Sequence, residues 1–423
     1  MQPWFIPMLY VSGAVLCGLA LPRIEQAYFS GYAVALSVSS AQALLSAAAS
    51  GMMSLTAIVF AMAFVMVQFS AIAYSPRLVL WFARDRIMFH ALGVFTATFV
   101  YALFTLAWVD RGGSAKVPLF SSLLVGIMII VSMLMFARLM QRLGDLQIGN
   151  VLHLVGDQGR AVIRDMFRRL DDASGAPRAP EGAAGCARLG RVTQTVKYFG
   201  KPRTMASLDV GALVALARQA GGTIAMACAV GDTLVEGAVL LRVHDPGTPL
   251  PEDALLRAVR LGRERTFEQD PKYPIRLRVD IAIKALSPAI NDPTTAVQTI
   301  DQLEDLLRRL GASELDAGYA ADESGALRLV FPTPTWEDFL TLAFDEIRQF
   351  GASSVQVMRR MRAALVGIAD ALPSEERVKA VRRYLEHLDH VIEASPFDVE
   401  DQRMARQEDR QGIGLSRRRI DTA

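Results

Sequence analysis

Three apolar runs near the N-terminus, residues 43–69, 88–109 and 117–137, decide what this chain can become. Each is long enough to cross the roughly 30 Å hydrocarbon core of a bilayer, which takes about 20 residues of helix. Each is nearly free of ionisable side chains. One such run fits a buried core helix of a soluble protein; three in succession, separated by short charged loops, do not. A further window, 4–21, is shorter and punctuated by Pro3, Pro7 and Pro22. No Lys or Arg precedes it, so it lacks the basic region of a signal peptide and reads as a first span.

Charge separates this part from the rest. Up to about Arg138 charged residues are sparse; beyond it they arrive every few residues. The net charge of +2, with no basic stripe interleaved with aromatics, excludes a nucleic-acid binder. Cys17, Cys186 and Cys228 lie far apart, so neither a zinc site nor a disulfide framework is indicated, and free thiols fit a reducing compartment. Arg77, Arg84 and Arg86 lie between the second and third spans, and Arg138, Arg142, Arg160, Arg164, Arg168 and Arg169 follow the fourth. The opposite side offers Arg23, Arg111 and Lys116. Loops rich in Lys and Arg stay inside, so both termini are expected on the cytoplasmic side of a bacterial inner membrane.

The second span carries Ser46, Ser50 and Ser54 at four-residue spacing, hence on one helix face. Gly51 and the alanines 43, 47, 57 and 61 form an adjacent small stripe. Two readings stand: close helix packing, which small residues favour in lipid, or a polar wall at a pore or subunit interface. A serine can also bond its own helix carbonyl four residues back, without water. After Ser75-Pro76, the segment holding Arg77, Trp81, Phe82, Arg84 and Arg86 reads as a positive-inside loop or as an interfacial stretch whose arginines touch lipid headgroups. His90 follows at the start of the third span.

Beyond the spans, 148–170 reads as an amphipathic helix, and the Ala-, Gly- and Pro-rich stretch 171–187 as a linker. A small mixed module follows. Strands are expected around Val192–Tyr198 and at 205–208, 223–230 and 239–243, with a helix over Val210–Ala220 ended by Gly221-Gly222. The turn beginning Val230-Gly231-Asp232 looks like those of lipoyl carriers. No lysine occurs between Lys201 and Lys272 to hold a cofactor, so the segment reads as structural and no cofactor is expected. The chain then turns helical: 273–285, then Asp292-Pro293 starting a helix with an apolar seam of Ala296, Ile300, Leu303, Leu307 and Leu310, capped near Gly311. Asn291 and Asp292 are candidates for a structural cap or an anion site at that helix start. Three more helices are expected at Trp336–Phe350, 353–371 and 374–394, before a charged tail read as disordered.

These residues resemble the bacterial predicted-membrane-protein family called domain of unknown function 2254. The resemblance rests on Tyr74-Ser75-Pro76-Arg77-Leu78, Arg84-Asp85-Arg86, Gly93-Val94-Phe95 and Phe99-Val100-Tyr101-Ala102-Leu103. It rests most on Asp280-Ile281-Ala282 followed by Ala285-Leu286-Ser287-Pro288-Ala289-Ile290-Asn291-Asp292-Pro293. The short N-terminus departs from the family pattern in lacking a basic leader. The family implies four spans and a soluble C-terminal region, and no established activity.

Chemistry is sparse. Walker A, GxGxxG after a strand, GxSxG and HExxH patterns are absent. His387 and His390 near Glu386 and Glu393 offer metal-ligand types but fit a solvated helix face; Glu304 and Asp305 with Arg308 and Arg309 fit surface ion pairs. The expected architecture is an all-α polytopic membrane domain of about four helices (1–140), a juxtamembrane helix and linker (141–190), a small α/β module (191–250), a helical soluble domain (251–395) and a disordered tail (396–423). The expected function is an oligomeric channel or transporter with a cytoplasmic regulatory domain. The alternative is a membrane-anchored regulator or scaffold; an enzyme is not expected. The expected partners are the lipid bilayer and further copies of the chain.

Overall fold

Apolar helices this long have few ways to satisfy their polar groups without water, and the first part of the chain shows how they do it. The computed structural model describes residues 5–28, 37–73, 86–110, 117–144, 148–167 and 189–414. It divides into two compact units, Met1–Asn150 and Val151–Ala423. In the first, four described helices are long and apolar enough to cross a membrane. They are α1 (Phe5–Tyr28), α2 (Val38–Ala73), α3 (Arg86–Leu106) and α4 (Leu119–Gly144).

α3 is the most enclosed of the four, with Ala91, Phe95, Tyr101 and Ala102 fully buried. Close approach explains its fit against α1: a Cβ at Gly18 would lie 2.7 Å from Phe104, and one at Gly93 would lie 2.6 Å from Tyr10. Hydroxyls within these helices turn back on their own backbone. Thr56, Thr96, Thr98, Thr105, Ser122 and Ser132 each donate to the carbonyl four residues earlier. Glu25, near the end of α1, is 8% exposed and does something different. Its carboxylate accepts the N–H groups of Phe120 (2.9 Å) and Ser121 (3.1 Å) and the Ser121 hydroxyl (3.0 Å). It thereby caps the first turn of α4, where unpaired N–H groups and the helix dipole both favour a negative charge.

The second unit is built around two cores. Helix α5 (Ile148–Met166) leads into it. Strands β1 (Val192–Lys197) and β2 (Arg203–Leu208) are followed by α6 (Val210–Ala220), which Asp209 caps and Gly221 ends with φ 69°. Next come β3 (Thr223–Met226), β4 (Thr233–Leu234), β5 (Val239–His244), the short α7 (Glu252–Arg257) and β6 (Val259–Gly262). After α8 (Lys272–Ala285) and α9 (Pro293–Gly311), strands β7 (Tyr319–Ala321) and β8 (Leu327–Val330) complete the sheets. The five-stranded sheet has the order β1-β5-β3-β8-β7, with β8 parallel to β3 and the other pairs antiparallel; β4-β2-β6 form a second, antiparallel sheet. Ile224, Leu240, Leu241, Val243 and Leu329 lie at the centre of the sheet core.

The helical core joins α5, α8 and α9 to α10 (Trp336–Phe350), α11 (Val355–Ala371), α12 (Glu375–Glu393) and α13 (Val399–Ala405). All five seam residues of α9 are fully buried, at roughly 1.5–3 kcal/mol for each of the larger ones.

Two expectations are corrected. The stretch 251–395 is not purely helical, since β6, β7 and β8 lie within it. Each is only three or four residues long, too short for an alternating pattern to declare itself. The described part of the tail, residues 396–414, is ordered: α13 packs through the buried Ala405, and Asp409 is wholly buried. Its carboxylate accepts the N–H groups of Gln411, Gly412 and Gly414, so its charge is satisfied by backbone rather than by water.

Glu25→Ala removes the cap of α4 and takes the acceptor away from the buried N–H and hydroxyl of Ser121. A loss of about 1–3 kcal/mol is expected, read as a lower melting temperature of the full-length protein in detergent. An unchanged melt would show that the carboxylate does not hold the helix end.

Candidate functional site

Polar side chains of the spans matter by where they face. α2 packs on its own bundle through Ala41, Leu45, Ala49, Met52 and Val59, all buried. Ser46, Ser50 and Ser54 lie on roughly the opposite side of the helix and are exposed, as are Gly51 and the alanines 43, 47, 57 and 61. A Cβ at Gly51 would meet nothing within 4 Å, and Ser54 donates to the Ser50 carbonyl at 3.0 Å. Packing of the stripe within the chain's own bundle is therefore not what is found; it points outward. Arg86 is exposed at the first turn of α3, while Arg77 and Arg84 lie outside the described residues. His90 makes a 3.2 Å hydrogen bond with the Tyr10 hydroxyl.

In the second unit, a cavity of about 210 Å³ is walled by the end of α5, the β2–α6 junction, the loop after β3, the approach to α8 and the segment between β8 and α10. Met166, Leu208, Val230 and Phe331 make it largely apolar. Gln269 fixes one wall: its amide accepts from the Leu208 N–H (2.8 Å) and donates to the Leu208 carbonyl (3.0 Å), pairing with the end of β2 as a strand would. Next to it Asp270 is 2% exposed, 3.2 Å from the Arg265 guanidinium, and accepts the Lys272 N–H. Burial raises its carboxyl above the ordinary range despite Arg265 and Lys272. Gly231 has φ +92°, and a side chain there would collide with both Arg265 and Asp270. Cys228 stands apart, buried beside Met205 and the Leu240 carbonyl, its thiol pushed up by burial to about 11.

α5 is held into this unit at close quarters. Gly159 faces Leu306 and Pro274, and Gly156 faces Arg278 and Gln302. Arg278 is completely buried and donates to the Leu152 carbonyl at 3.0 Å; burial pulls its guanidinium down to about 9, still charged at neutral pH. Arg160 bridges Asp157 (2.6 Å) and Asp305 (2.9 Å).

The remaining candidates resolve locally. Asp292 caps α9, accepting the Thr295 N–H (3.1 Å) and hydroxyl (2.5 Å), so a carboxylate already stands where an anion would bind. Asn291 is exposed with φ +49°, a region Asn tolerates better than most residues. Glu304 is not a plain surface charge: it is 15% exposed and pairs with Arg308 and Arg360, the latter tying α9 to α11. Among the described residues no group of three or more His, Cys, Asp or Glu is placed to hold a metal, and His390 instead contacts the Glu386 carbonyl. Sequence reasoning missed the cavity, whose walls come from segments without a motif; a visible signal was the Gly156-x-x-Gly159 spacing that seats α5.

Four apolar helices joined to an α/β unit with its own helical core define a polytopic membrane protein. The chain belongs to the predicted membrane protein family termed domain of unknown function 2254, whose model matches residues 2–366. It is similar to the uncharacterized proteins Mb1321c of Mycobacterium bovis and Rv1290c of Mycobacterium tuberculosis, each 27% identical over 398 residues that cover 90% of this chain and 74% of the relative. No solved structure matches it.

Two outcomes follow from this geometry. Gly156→Val overpacks the α5 contact and is expected to cost about 1–3 kcal/mol in urea unfolding; an unchanged midpoint would show that the contact yields freely. Asp270 has a raised carboxyl, so it adds stability below the ordinary carboxylate range and loses it as pH rises through the raised value. Asp270→Asn removes that term. Relative to the parent, the variant should fare best at neutral pH and lose ground as the pH falls toward about 4; a difference independent of pH would contradict this.

Proposed function

We propose that the protein is an oligomeric channel or transporter of the bacterial inner membrane, with its pore or subunit interface formed between copies by α2 and its second unit acting as a cytoplasmic regulatory domain. The observation that carries this reading is the outward stripe of Ser46, Ser50 and Ser54 with Gly51. From Ala43 to Ala61 the stripe spans about 27 Å of helix, close to the hydrocarbon thickness. Lipid tails gain little from such a shallow face, whereas a second helix can approach it closely and share its hydroxyls. Four helices are too few to enclose a path, so any pore belongs to an assembly. The arginines 77, 84 and 86 and those after α4 support a cytoplasmic second unit by the positive-inside bias.

A second reading, a membrane-anchored regulator or scaffold without transport, draws on the cavity of the second unit. The oligomeric state separates the two. Ser50→Leu and Gly51→Leu should weaken the assembly seen by native mass spectrometry in detergent, and Ser54→Leu should lower flux across reconstituted vesicles. A monomeric parent, or no flux above protein-free vesicles, would remove the pore and leave the second reading.

A further inference from the structure

We infer that the cavity of the second unit is a binding site for a small carboxylate with a short apolar body, and that Lys272 reads its charge. This does not depend on what α2 does. The shape comes first: about 210 Å³ is below the range of roughly 300–1,000 Å³ that holds drug-sized ligands, and is walled mainly by apolar side chains and prolines. It suits a compact apolar body and is too small for the acyl chains of a membrane lipid.

The charge comes second. Of the polar groups in the wall, the Gln269 amide is committed to the Leu208 backbone. Asp165 is exposed beside Arg164, at 3.4 Å, and stays solvated. Lys272 is different: it is half-buried, and among the described residues its ammonium makes no hydrogen bond and no ion pair within 4 Å, the Asp270 charge acting on it only from farther away. The carboxylate two residues away, Asp270, is engaged by Arg265 and by the Lys272 backbone N–H. A cation at the edge of an apolar cavity favours an anion with an apolar body over a neutral or cationic one. Lys272 also stands at the first turn of α8, where the helix dipole adds to the preference.

The site has a place in the chain's connectivity. Asp165 and Met166 belong to the last turn of α5, and only three residues separate the end of α4 from the start of α5. An occupant would therefore touch the helix that directly follows the fourth span.

The test is isothermal titration calorimetry on the full-length protein in detergent at neutral pH, corrected with protein-free micelles. The probes are hexanoate and benzoate, with hexanol, benzyl alcohol and hexylamine as neutral and cationic counterparts. Saturable binding of the two carboxylates is expected, with little or none of the others. Lys272→Met should weaken it at least about tenfold, the worth of one charge-assisted hydrogen bond. Lys272→Arg should restore most of it, and Ala317→Leu, which fills the cavity, should abolish it. Melting temperatures of the three variants within the parent's range show that they fold. Absence of carboxylate binding to the parent overturns the proposal, as does binding indifferent to both Lys272→Met and Ala317→Leu. Equal binding of hexylamine would overturn the role of charge, and tighter binding of dodecanoate than of hexanoate would overturn the size argument in favour of a membrane-derived chain.

Discussion

Hydrocarbon offers no hydrogen bonds, and the first unit is shaped by that one fact. A backbone or hydroxyl group with no partner there costs several kcal/mol, so much of the polarity of these helices is answered by the chain itself. Threonines and serines along α2, α3 and α4 answer it within one helical turn. Glu25 answers the N–H groups of the first turn of α4, carrying its carboxylate across from α1. The same reasoning gives the stripe on α2 its meaning. Ser54 is satisfied by its own helix, while the hydroxyls of Ser46 and Ser50 make no hydrogen bond among the described residues, so the stripe leaves both shape and hydrogen bonding to be filled. An outward face of small residues is a shallow groove, and in a membrane a groove is most favourably occupied by another helix.

In the second unit the governing interaction is the close seating of α5. Two glycines let it lie against α8 and α9, and the buried Arg278 then reaches its backbone at Leu152. A lone buried guanidinium is costly, and although Arg160, Asp305 and Asp157 all act on it, Arg278 forms no ion pair with a carboxylate among the described residues. A Leu or Met of similar volume would avoid that cost but could not donate to a carbonyl. The arrangement spends stability on one defined position for α5, the helix whose last turn also forms part of the cavity wall.

Much of this was legible in the sequence, for reasons that differ by element. The spans stand out because length and apolarity are summed over about 20 residues, and α6, α8 and α9 because their caps and seams are local: Asp209, Gly221, Asp292 and Pro293 each occupy the position that their chemistry favours. The strands β7 and β8 were hidden because they are short and because β8 pairs with β3, about a hundred residues away in sequence, a contact that no local pattern encodes. The serines of α2 were visible as a stripe, but periodicity fixes only a shared face, not whether that face turns inward. The cavity was invisible for the same reason as β8: Leu208, Gln269 and Phe331 become neighbours only through tertiary structure.

The end of the chain shows how composition misleads when charges are answered internally. The segment after Pro396 is rich in Asp, Glu and Arg, which ordinarily marks a solvated coil. Here Gly412 and Gly414, at φ +69° and +87°, curl the backbone so that its N–H groups converge on the buried Asp409 carboxylate. The carbonyls of the same two glycines then accept from Gln356 (2.6 Å) and Arg359 (2.8 Å) of α11. Arg359 is 2% exposed, and the tail supplies it with an acceptor in the interior. Its neighbour Arg360 is answered from the other side, by Asp301 and Glu304 of α9. The buried charge of this segment, Asp409, is therefore answered by the tail's own backbone, which in turn offers carbonyls to Gln356 and Arg359 of α11; the family model's end at residue 366 falls within that helix.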